Sequence, residues 1–223
     1  MNLDPFASSE LIRVLVVDDH PIVRQGLTLL FAQQENIQVC AEAEDADQAL
    51  EQIESARPDL AIIDISLKTS NGLDLIKLIR ERYDLLPVLV LSVHDESLYA
   101  ERALRAGARG YIMKEELTDN VIAAVQQIMQ GKIYLSPTMS EKMLDRLSDH
   151  ASQSDESLVQ LLSDRELEVF RMIGEGQNTK EIAEKMNVSI KTIQSYRARI
   201  KEKLNLSSSS DLLKIALSRF SGK

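Results

Sequence analysis

The sequence contains a single cysteine, Cys40. One cysteine cannot form a disulfide within the chain, which excludes the small secreted proteins whose folds depend on disulfide frameworks. Cys40 lies in the apolar run IQVCAEA, so we expect it to be a small core residue and not a catalytic nucleophile. A reducing environment agrees with this composition.

Long hydrophobic runs are also absent. No apolar stretch approaches the roughly 20 residues that a membrane-spanning helix needs. The N-terminal stretch MNLDPFASSE has no basic segment followed by an apolar one, so it does not have the pattern of a signal peptide. We therefore expect no membrane partner and a cytoplasmic location.

Positive charge is scarce in residues 1–159, which hold 14 Lys and Arg residues against 27 Asp and Glu residues. Residues 160–223 hold 12 against 8 and are basic, although the net charge of the whole chain is −9. With 223 residues, of which 44% are apolar, the chain is long enough for two ordinary domains. The basic end is a candidate for binding nucleic acid.

Residues 11–130 alternate between short apolar runs and amphipathic stretches. The runs VLVV, LAII and VLVLSV are nearly continuous in Val, Ile and Leu, which is typical of parallel strands covered by helices on both faces. The predicted strands are Ile12–Val17, Gln38–Ala43, Leu60–Asp64, Val88–Val93 and Gly110–Met113. This alternation predicts an α/β fold with a five-stranded, parallel, doubly wound sheet of the flavodoxin-like order.

Helices are predicted between the strands. They begin after Pro21 and continue with Ala46–Ala56, Leu73–Arg82, Ser97–Ala106 and Thr118–Gln130. Proline suits the first turn of a helix because its missing N–H is not needed there. We expect the first helix to pack on the sheet through Ile22, Val23, Gly26, Leu27 and Leu30.

Residues 131–157 break the alternation of strands and helices. Gly131 ends the preceding helix, one short helix near Ser140–Leu147 follows, and the remainder is rich in Ser and Asp. We expect a linker that is partly helical and partly flexible, which leaves residues 11–130 as the first domain.

Residues 158–223 have helical patterns throughout. The segments SDRE and NTKE have the spacing of capping boxes, in which a side chain at each end of the first turn satisfies a free backbone N–H. The expected helix caps are Ser163, Asn178, Ser189 and, for the last helix, Ser210 or Asp211. Four short helices in this length predict a small all-α domain.

Side chains that bind cations or phosphoryl groups occur where the predicted strands end. Asp18 and Asp19 follow the first strand, Asp64 ends the third, Ser92 lies near the end of the fourth, and Lys114 follows the fifth. Ligands of an open parallel sheet bind beyond the carboxyl ends of its strands, so these side chains should converge. A single such Asp is more often a helix cap or turn residue, but their shared edge favours a common site.

Three neighbouring carboxylates require a cation, and a hard divalent ion such as Mg²⁺ suits oxygen ligands. If Asp19 and Asp64 bind the ion directly, and Asp18 through water, one Asp64 oxygen can attack phosphorus and form an aspartyl phosphate. Mg²⁺, the Lys114 ammonium and the Ser92 hydroxyl would each stabilise the charge on the phosphoryl oxygens.

Two histidines border this edge. His20 is expected to be an exposed loop residue. For His94 two positions are equally expected: it lies near the pocket, or it is a solvated loop residue.

The segment NTKEIAEKMNVSIKTIQSYRARIKEKL has the pattern of a helix-turn-helix. Val188, in the turn, is expected to point inward. The second helix holds five Lys and Arg residues between Ser189 and Leu204, with Glu202 as its one acidic residue, which suits the major groove of DNA. The expected buried faces comprise Ile182, Ala183 and Met186 in the first helix and Ile193, Ile200 and Leu204 in the second.

The alternative interpretation is that the positive helix is only a solvated face. Capped helices on both sides of a tight turn, and the change from acidic to basic charge along the chain, favour DNA binding. Four residues are expected to contact base edges or nearby phosphates: Lys191, Gln194, Ser195 and Arg199. Four others are expected to contact phosphates: Thr179, Lys180, Thr192 and Lys201.

Four spaced segments resemble a known family: VLVVDDHPIVRQGL, DLAIIDISLKTSNGLDLI, VLVLSVHDE and AGARGYIMK. Together they resemble the receiver domain of bacterial two-component response regulators. The later segments LSDRELEVFRMIGEGQNTKEIA and TIQSYRARIKEKL resemble the LuxR-type helix-turn-helix of the NarL/FixJ group. The resemblance extends over about residues 11–220 and so covers nearly the whole chain.

The resemblance implies a role for each residue of the acidic edge. Asp64 would be the phosphoacceptor, Asp18 and Asp19 the acidic pair, Ser92 the switch hydroxyl and Lys114 the conserved-type lysine. It further implies that the backbone carbonyl of Ser66 binds the metal, and that Tyr111 reorients with Ser92.

The resemblance also implies the function of the whole chain. A sensor histidine kinase would phosphorylate a DNA-binding transcription factor, which then forms a homodimer on double-stranded promoter DNA; RNA polymerase is a further candidate partner. No enzyme activity is implied beyond self-catalysed phosphoryl acceptance and slow autodephosphorylation.

The sequence departs from the family pattern in several places. The loop after Asp64 is ISLKTSNG where many relatives have a Met-Pro-Gly type, and Glu115 follows Lys114 where many have proline. In the last helices the common His, Lys and Asn are Tyr196, Gln194 and Arg199, so base preference need not match that of relatives.

Two other functions stay open at this point. A receiver that is not phosphorylated could serve only as an interaction and DNA-binding module. A haloacid-dehalogenase-type phosphatase also uses an aspartyl phosphate, but it needs a second acid two residues after the nucleophile, where this chain has Ser66.

Overall fold

Five parallel strands form one sheet in the order β2–β1–β3–β4–β5. The strands are β1 (Ile12–Val17), β2 (Ile37–Ala43), β3 (Leu60–Ile63), β4 (Val88–Ser92) and β5 (Gly110–Met113). The helices that alternate with them are α1 (Pro21–Phe31), α2 (Ala46–Ala56), α3 (Gly72–Arg82), α4 (Glu96–Ala106) and α5 (Leu117–Met129). This order confirms the predicted flavodoxin-like sheet.

The computed structural model describes residues 11–68, 70–147 and 159–220. The chain divides into two compact units between Lys142 and Met143. The expectation about a signal peptide concerns the first ten residues, which lie outside the described residues. Residues 148–157 of the predicted linker also lie outside them. No helix in the described ranges has the length and apolar character needed to cross a membrane.

Three predicted strand ends differ from the observed ones by one residue. Strand β2 begins at Ile37, β3 ends at Ile63 and β4 ends at Ser92. Asp64 therefore follows β3, although its backbone N–H still donates to the carbonyl of Val17 at 2.9 Å. The backbone of Asp64 is thus fixed against the end of β1.

The core of the first unit lies between the sheet and its helices. Val14 and Leu89 of the sheet, and Leu27 and Phe31 of α1, are fully buried. Each such side chain contributes about 1.5–3 kcal/mol to stability. This packing holds the strands, and therefore their carboxyl ends, in fixed relative positions.

The predicted inward face of α1 is partly wrong. Ile22 is 74% exposed, whereas Arg24 is 9% exposed and shares the buried face with Leu27 and Phe31. The helix is rotated because the Arg24 guanidinium finds carbonyl and carboxylate partners at the carboxyl ends of β1 and β2. A charged side chain with several such partners can replace an apolar one in this position.

The segment after α5 continues to contact the sheet. The backbone N–H of Tyr111 donates to the carbonyl of Tyr134 at 3.0 Å, and the N–H of Tyr134 donates to Arg109 at 2.9 Å. The backbone N–H of Ser136 donates to Glu96 at the start of α4 (3.1 Å), and the Ser136 hydroxyl also contacts this carboxylate. Helix α6 (Pro137–Leu147) follows directly.

The second unit contains α7 (Asp164–Gly174), α8 (Thr179–Lys185), α9 (Ile190–Lys203) and α10 (Ser209–Phe220). Its core is made by buried residues of all four helices: Leu167, Phe170, Ile173, Ile182, Ile193, Ile200, Leu212 and Ala216. Helices α7 and α10 approach closely at Gly174, where an added Cβ would lie 2.4 Å from the Ala216 carbonyl oxygen.

The helix caps of the second unit mostly agree with the sequence analysis. Ser163 and Asn178 form the two predicted capping boxes, and the Ser189 hydroxyl accepts from the N–H of Thr192. The predicted cap of the last helix is wrong, because Ser208 accepts from the Asp211 N–H and donates its own N–H to the Asp211 carboxylate.

The turn between α8 and α9 also differs from expectation. Val188 is 37% exposed, so its side chain does not close the core of the helix-turn-helix as predicted. Its backbone N–H instead donates to the carbonyl of Ala183 at 3.0 Å, after Asn187 adopts a positive φ of 51°. The backbone of the turn, not the valine side chain, therefore ends α8.

A buried carboxylate connects α7 with α9. One Glu166 oxygen accepts from the Ser163 N–H at 2.8 Å and from the Lys203 ammonium at 2.7 Å. Burial raises the pKa of Glu166, but the bonds from Lys203 and Ser163 outweigh it, so the pKa lies below the ordinary value. The ionised form is thus favoured in the folded state.

We predict that acidification weakens the second unit through this carboxylate. Because the folded pKa is lower than the unfolded one, the stabilisation is complete above the ordinary value of 4.5 and is lost as the pH falls below it. Glu166→Gln should lose about 1–3 kcal/mol of unfolding free energy at pH 7 and depend less on acid. Denaturation followed by circular dichroism at several pH values measures this, with exposed Glu202→Gln as the control. An acid dependence of Glu166→Gln equal to that of the wild type would contradict the prediction.

Candidate functional site

The carboxyl ends of β1, β3 and β5 bring three charged side chains into contact. The Lys114 ammonium lies 2.6 Å from Asp18 Oδ2 and 2.7 Å from Asp64 Oδ2. Asp18 and Asp64 are each 2% exposed. Asp19, next to Asp18, has a side chain that is 24% exposed and forms the solvent side of the pocket. The structure therefore brings together the acids and the lysine that the sequence separates by up to 96 positions.

The two adjacent aspartates do not serve as side-chain caps of α1. His20 is the capping residue of that helix, and no side chain makes a cap hydrogen bond there. Asp18 Oδ1 accepts from the His20 backbone N–H at 2.9 Å, which fixes the carboxylate orientation. The His20 ring is 61% exposed, as expected, and its Nδ1 lies 2.7 Å from Asp19 Oδ1.

The pocket has an excess of negative charge. Burial raises the pKa of the Asp64 carboxyl, and the Lys114 ammonium only partly offsets this. Burial lowers the pKa of Lys114, but Asp64 and Asp18 outweigh it, so the pKa of the ammonium is raised overall. The pocket therefore has one ammonium for three carboxylates, and a further cation would stabilise the ionised form of the buried acids.

The donor atoms fit a divalent metal ion. Ligand atoms of Asp18, Asp19, His20 and Asp64 all lie within 4.8 Å of one another. Asp64 Oδ1 is buried and accepts no hydrogen bond from the described residues. A buried carboxylate oxygen without a partner is unfavourable, and a hard cation bound to it would remove that cost.

Polar side chains from the neighbouring loops border the pocket. Ser92 at the end of β4 is fully buried, and the buried Tyr111 hydroxyl donates to the carbonyl of His94 at 2.8 Å. His94 Nε2 lies 2.7 Å from the Ser66 hydroxyl oxygen, and its ring stacks on Tyr99. His94 is thus buried beside the pocket, which decides between its two interpretations.

Sequence reasoning missed Arg24 as a neighbour of the site. Its guanidinium donates to the backbone carbonyl of Asp18 at 2.6 Å. The signal in the sequence was its helical spacing from the buried Leu27 and Phe31, three and seven positions later.

The second unit presents a basic helix face. Lys191, Gln194, Ser195 and Arg199 are exposed on α9, on the side away from the buried Ile193 and Ile200, and Lys180 is exposed on α8; Thr179, Thr192 and Lys201 are partly buried. A shallow groove of α9 is lined by Ser189, Lys191, Thr192, Ser195, Tyr196 and Arg199. Such a face can enter the major groove of DNA.

Comparisons with known proteins agree with both units. Residues 14–126 match the family model of the response regulator receiver domain, and residues 160–216 match that of the bacterial regulatory proteins of the luxR family. The oxygen regulatory protein NreC of Staphylococcus carnosus is 32% identical over 211 residues, covering 93% of this chain and 97% of that protein. The regulator BvgA of Bordetella pertussis is 34% identical over 204 residues, covering 92% and 96%.

A solved structure is similar over nearly the whole chain. It is RcsB from Salmonella enterica serovar Typhimurium, bound to promoter rprA in the presence of the phosphomimetic BeF₃⁻. The TM-score is 0.66 at 27% identity, with 94% of this chain and 99% of that chain covered.

A sheet that gathers acids and a lysine at its strand ends, followed by a helix-turn-helix unit, defines a signal-receiving, DNA-binding regulator. The chain belongs to the two-component response regulators, in the NarL/FixJ group that carries a LuxR-type DNA-binding domain. It is a transcription regulator and not a conventional enzyme, and its receiver domain implies a histidine kinase as signalling partner.

Proposed function

We propose that phosphorylation of Asp64 by a sensor histidine kinase, with Mg²⁺ in the acidic pocket, controls DNA binding by this regulator. The observation that carries the proposal is the different state of the two Asp64 oxygens. Oδ2 is held by Lys114 at 2.7 Å, whereas Oδ1 is buried and has no hydrogen-bond partner in the described residues. An oxygen in that state is available to a phosphoryl group or a cation.

Each residue of the pocket has a defined part in this transfer. A bond forms between an Asp64 oxygen and phosphorus while the bond from phosphorus to the donor breaks. Lys114, which donates to Asp64 at 2.7 Å, and the buried Ser92 would stabilise the phosphoryl oxygens. Asp18, Asp19, Asp64 and the Ser66 carbonyl would hold Mg²⁺, which neutralises charge when bound.

The response to phosphorylation would begin at Ser92. A phosphoryl group adds about 1.5 to 2 negative charges, and the Ser92 hydroxyl would follow it. Tyr111 is already buried, with its hydroxyl on the His94 carbonyl, so the same loop connects both residues of the switch. We propose that this change favours a homodimer.

The DNA-binding part of the proposal rests on the exposed basic face. The homodimer would bind double-stranded promoter DNA through Lys191, Gln194, Ser195 and Arg199, with Thr179, Lys180, Thr192 and Lys201 on phosphates. The bound promoter of the similar RcsB structure supports this use. RNA polymerase is a further candidate partner, and the DNA target favours a cytoplasmic location.

The proposed domain boundaries are 11–130 for the receiver, 131–157 for the linker and 158–223 for the DNA-binding domain. Both family matches lie within these limits. The contacts of Tyr134 and Ser136 indicate that the first part of the linker rests on the receiver.

Intact mass spectrometry with acetyl phosphate tests the phosphoacceptor. We expect the wild type to gain the mass of one phosphoryl group only when Mg²⁺ is present, and to release it slowly afterwards. Asp64→Asn should gain none because the amide cannot attack phosphorus, whereas Asp84→Asn, which changes an exposed acid, should behave as the wild type. Absence of labelling in the wild type would instead favour an interaction module, and turnover of phosphomonoesters would favour a phosphatase.

Salt-dependent DNA binding tests the basic face. Lys180→Ala should weaken binding to duplex DNA of mixed sequence and reduce the slope of log affinity against log salt by about 0.9, as expected for one lost phosphate contact. Fluorescence anisotropy at several salt concentrations measures the slope. Lys214→Ala removes a charge that is also exposed, from α10, and should leave the slope unchanged. Equal effects of both substitutions would mean that binding follows net charge only.

A further inference from the structure

A buried guanidinium contacts the backbone of the acidic pair. Arg24 of α1 donates Nη1 to the Asp18 carbonyl oxygen at 2.6 Å, Nε to Glu42 at 3.0 Å and Nη2 to Glu44 at 3.2 Å. The Arg24 side chain is 11% exposed, whereas those of Glu42 and Glu44 are 41% and 40% exposed. Arginine is rarely buried to this degree unless its donors are occupied.

The bond from Arg24 to the Asp18 carbonyl acts on the peptide that joins Asp18 to Asp19. The carbonyl of Asp18 belongs to the planar peptide unit that runs from the Cα of Asp18 to the Cα of Asp19. Fixing this carbonyl therefore fixes the direction in which the chain enters Asp19. The amide and the carboxylate of Asp18 are held separately, by the Ala43 carbonyl at 3.1 Å and by Lys114 at 2.6 Å.

Arginine is suited to this position by its shape and charge. Its planar group offers five N–H donors in fixed directions, so it can bond to the carbonyl and to both glutamates at once. The carboxylates of Glu42 and Glu44, which are 3.0 Å and 3.2 Å from the guanidinium, balance its positive charge.

We propose that Arg24 is a positioning residue of the cation site, which orients the Asp18–Asp19 peptide so that both carboxylates face the metal ion. The proposal rests on the proposed function, in which a divalent cation binds beside Asp64. Arg24 itself touches neither the cation nor the phosphoryl group.

Magnesium affinity tests this role. Isothermal titration calorimetry with Mg²⁺ should give a Kd for Arg24→Met that is about 10- to 100-fold higher than for the wild type, the usual effect of losing a group that orients a metal ligand. The Mg²⁺ concentration at half-maximal labelling by acetyl phosphate should rise by a similar factor. The rate of labelling at saturating Mg²⁺ should stay close to that of the wild type, because Asp64, Lys114 and Ser92 are unchanged.

Two further variants separate positioning from a merely structural role. Glu42→Gln combined with Glu44→Gln weakens the outer contacts of Arg24 and should change the Mg²⁺ Kd by less than about threefold. Arg24→Lys keeps a charge that can still reach the Asp18 carbonyl, so its Kd should fall between those of the wild type and Arg24→Met. It also provides the comparison if Arg24→Met does not fold.

The outcomes can be distinguished. Equal shifts in Kd for Arg24→Met and for the double glutamine variant would mean that Arg24 only fastens α1 to β2, and would overturn the proposal. If Arg24→Met does not fold, a Kd of Arg24→Lys equal to that of the wild type would also overturn the proposal. A lower rate of labelling of Arg24→Met at saturating Mg²⁺, with an unchanged Kd for Mg²⁺, would overturn it as well. If the wild type binds Mg²⁺ but is not labelled, the proposed phosphorylation fails, while the Kd values still decide the role of Arg24.

Discussion

The paired contact of Lys114 with Asp18 and Asp64 is the interaction on which the site depends. It joins the ends of three strands through two distances below 3 Å, and both acids are buried. One ammonium does not balance three carboxylates, so the arrangement is left with negative charge in a place of low solvent access. The apolar core makes this possible, because packed strands cannot separate to relieve the repulsion. The fold thereby holds an acidic pocket whose excess negative charge fits a divalent cation.

The contacts around the pocket continue along one loop into the segment that leads to the second unit. The loop from Ser92 to Glu96 carries three of these groups. They are the Ser92 hydroxyl beside the pocket, the His94 carbonyl that accepts from Tyr111, and the Glu96 carboxylate that accepts from Ser136. The backbone of Tyr111 also bonds to Tyr134. A movement of Ser92 toward a phosphoryl group would therefore act on the start of α6 through these hydrogen bonds, with no need for a change in the sheet.

The sequence predicted those features that are encoded locally. Near-continuous runs such as VLVV defined the buried strands, and side chains one to three residues away set the caps at Ser163, Asn178 and Ser189. Converging acids followed from strand ends and topology. The rotation of α1 could not be predicted in this way, because the partners that bury Arg24 are Glu42 in β2 and Glu44 just after it, 18 and 20 positions away. His94 stayed undecided for the same reason, since its partner Ser66 belongs to another loop.

The most direct test of the account is the position of a bound metal ion. Crystals grown with Mn²⁺, which scatters anomalously, should show one strong anomalous peak between the carboxylates of Asp19 and Asp64, with the Ser66 carbonyl as a further ligand. Asp18 should face the same ion directly or through water. A peak at another acidic surface, or none at this pocket with Mn²⁺ in excess, would contradict the claim that the three acids form one cation site.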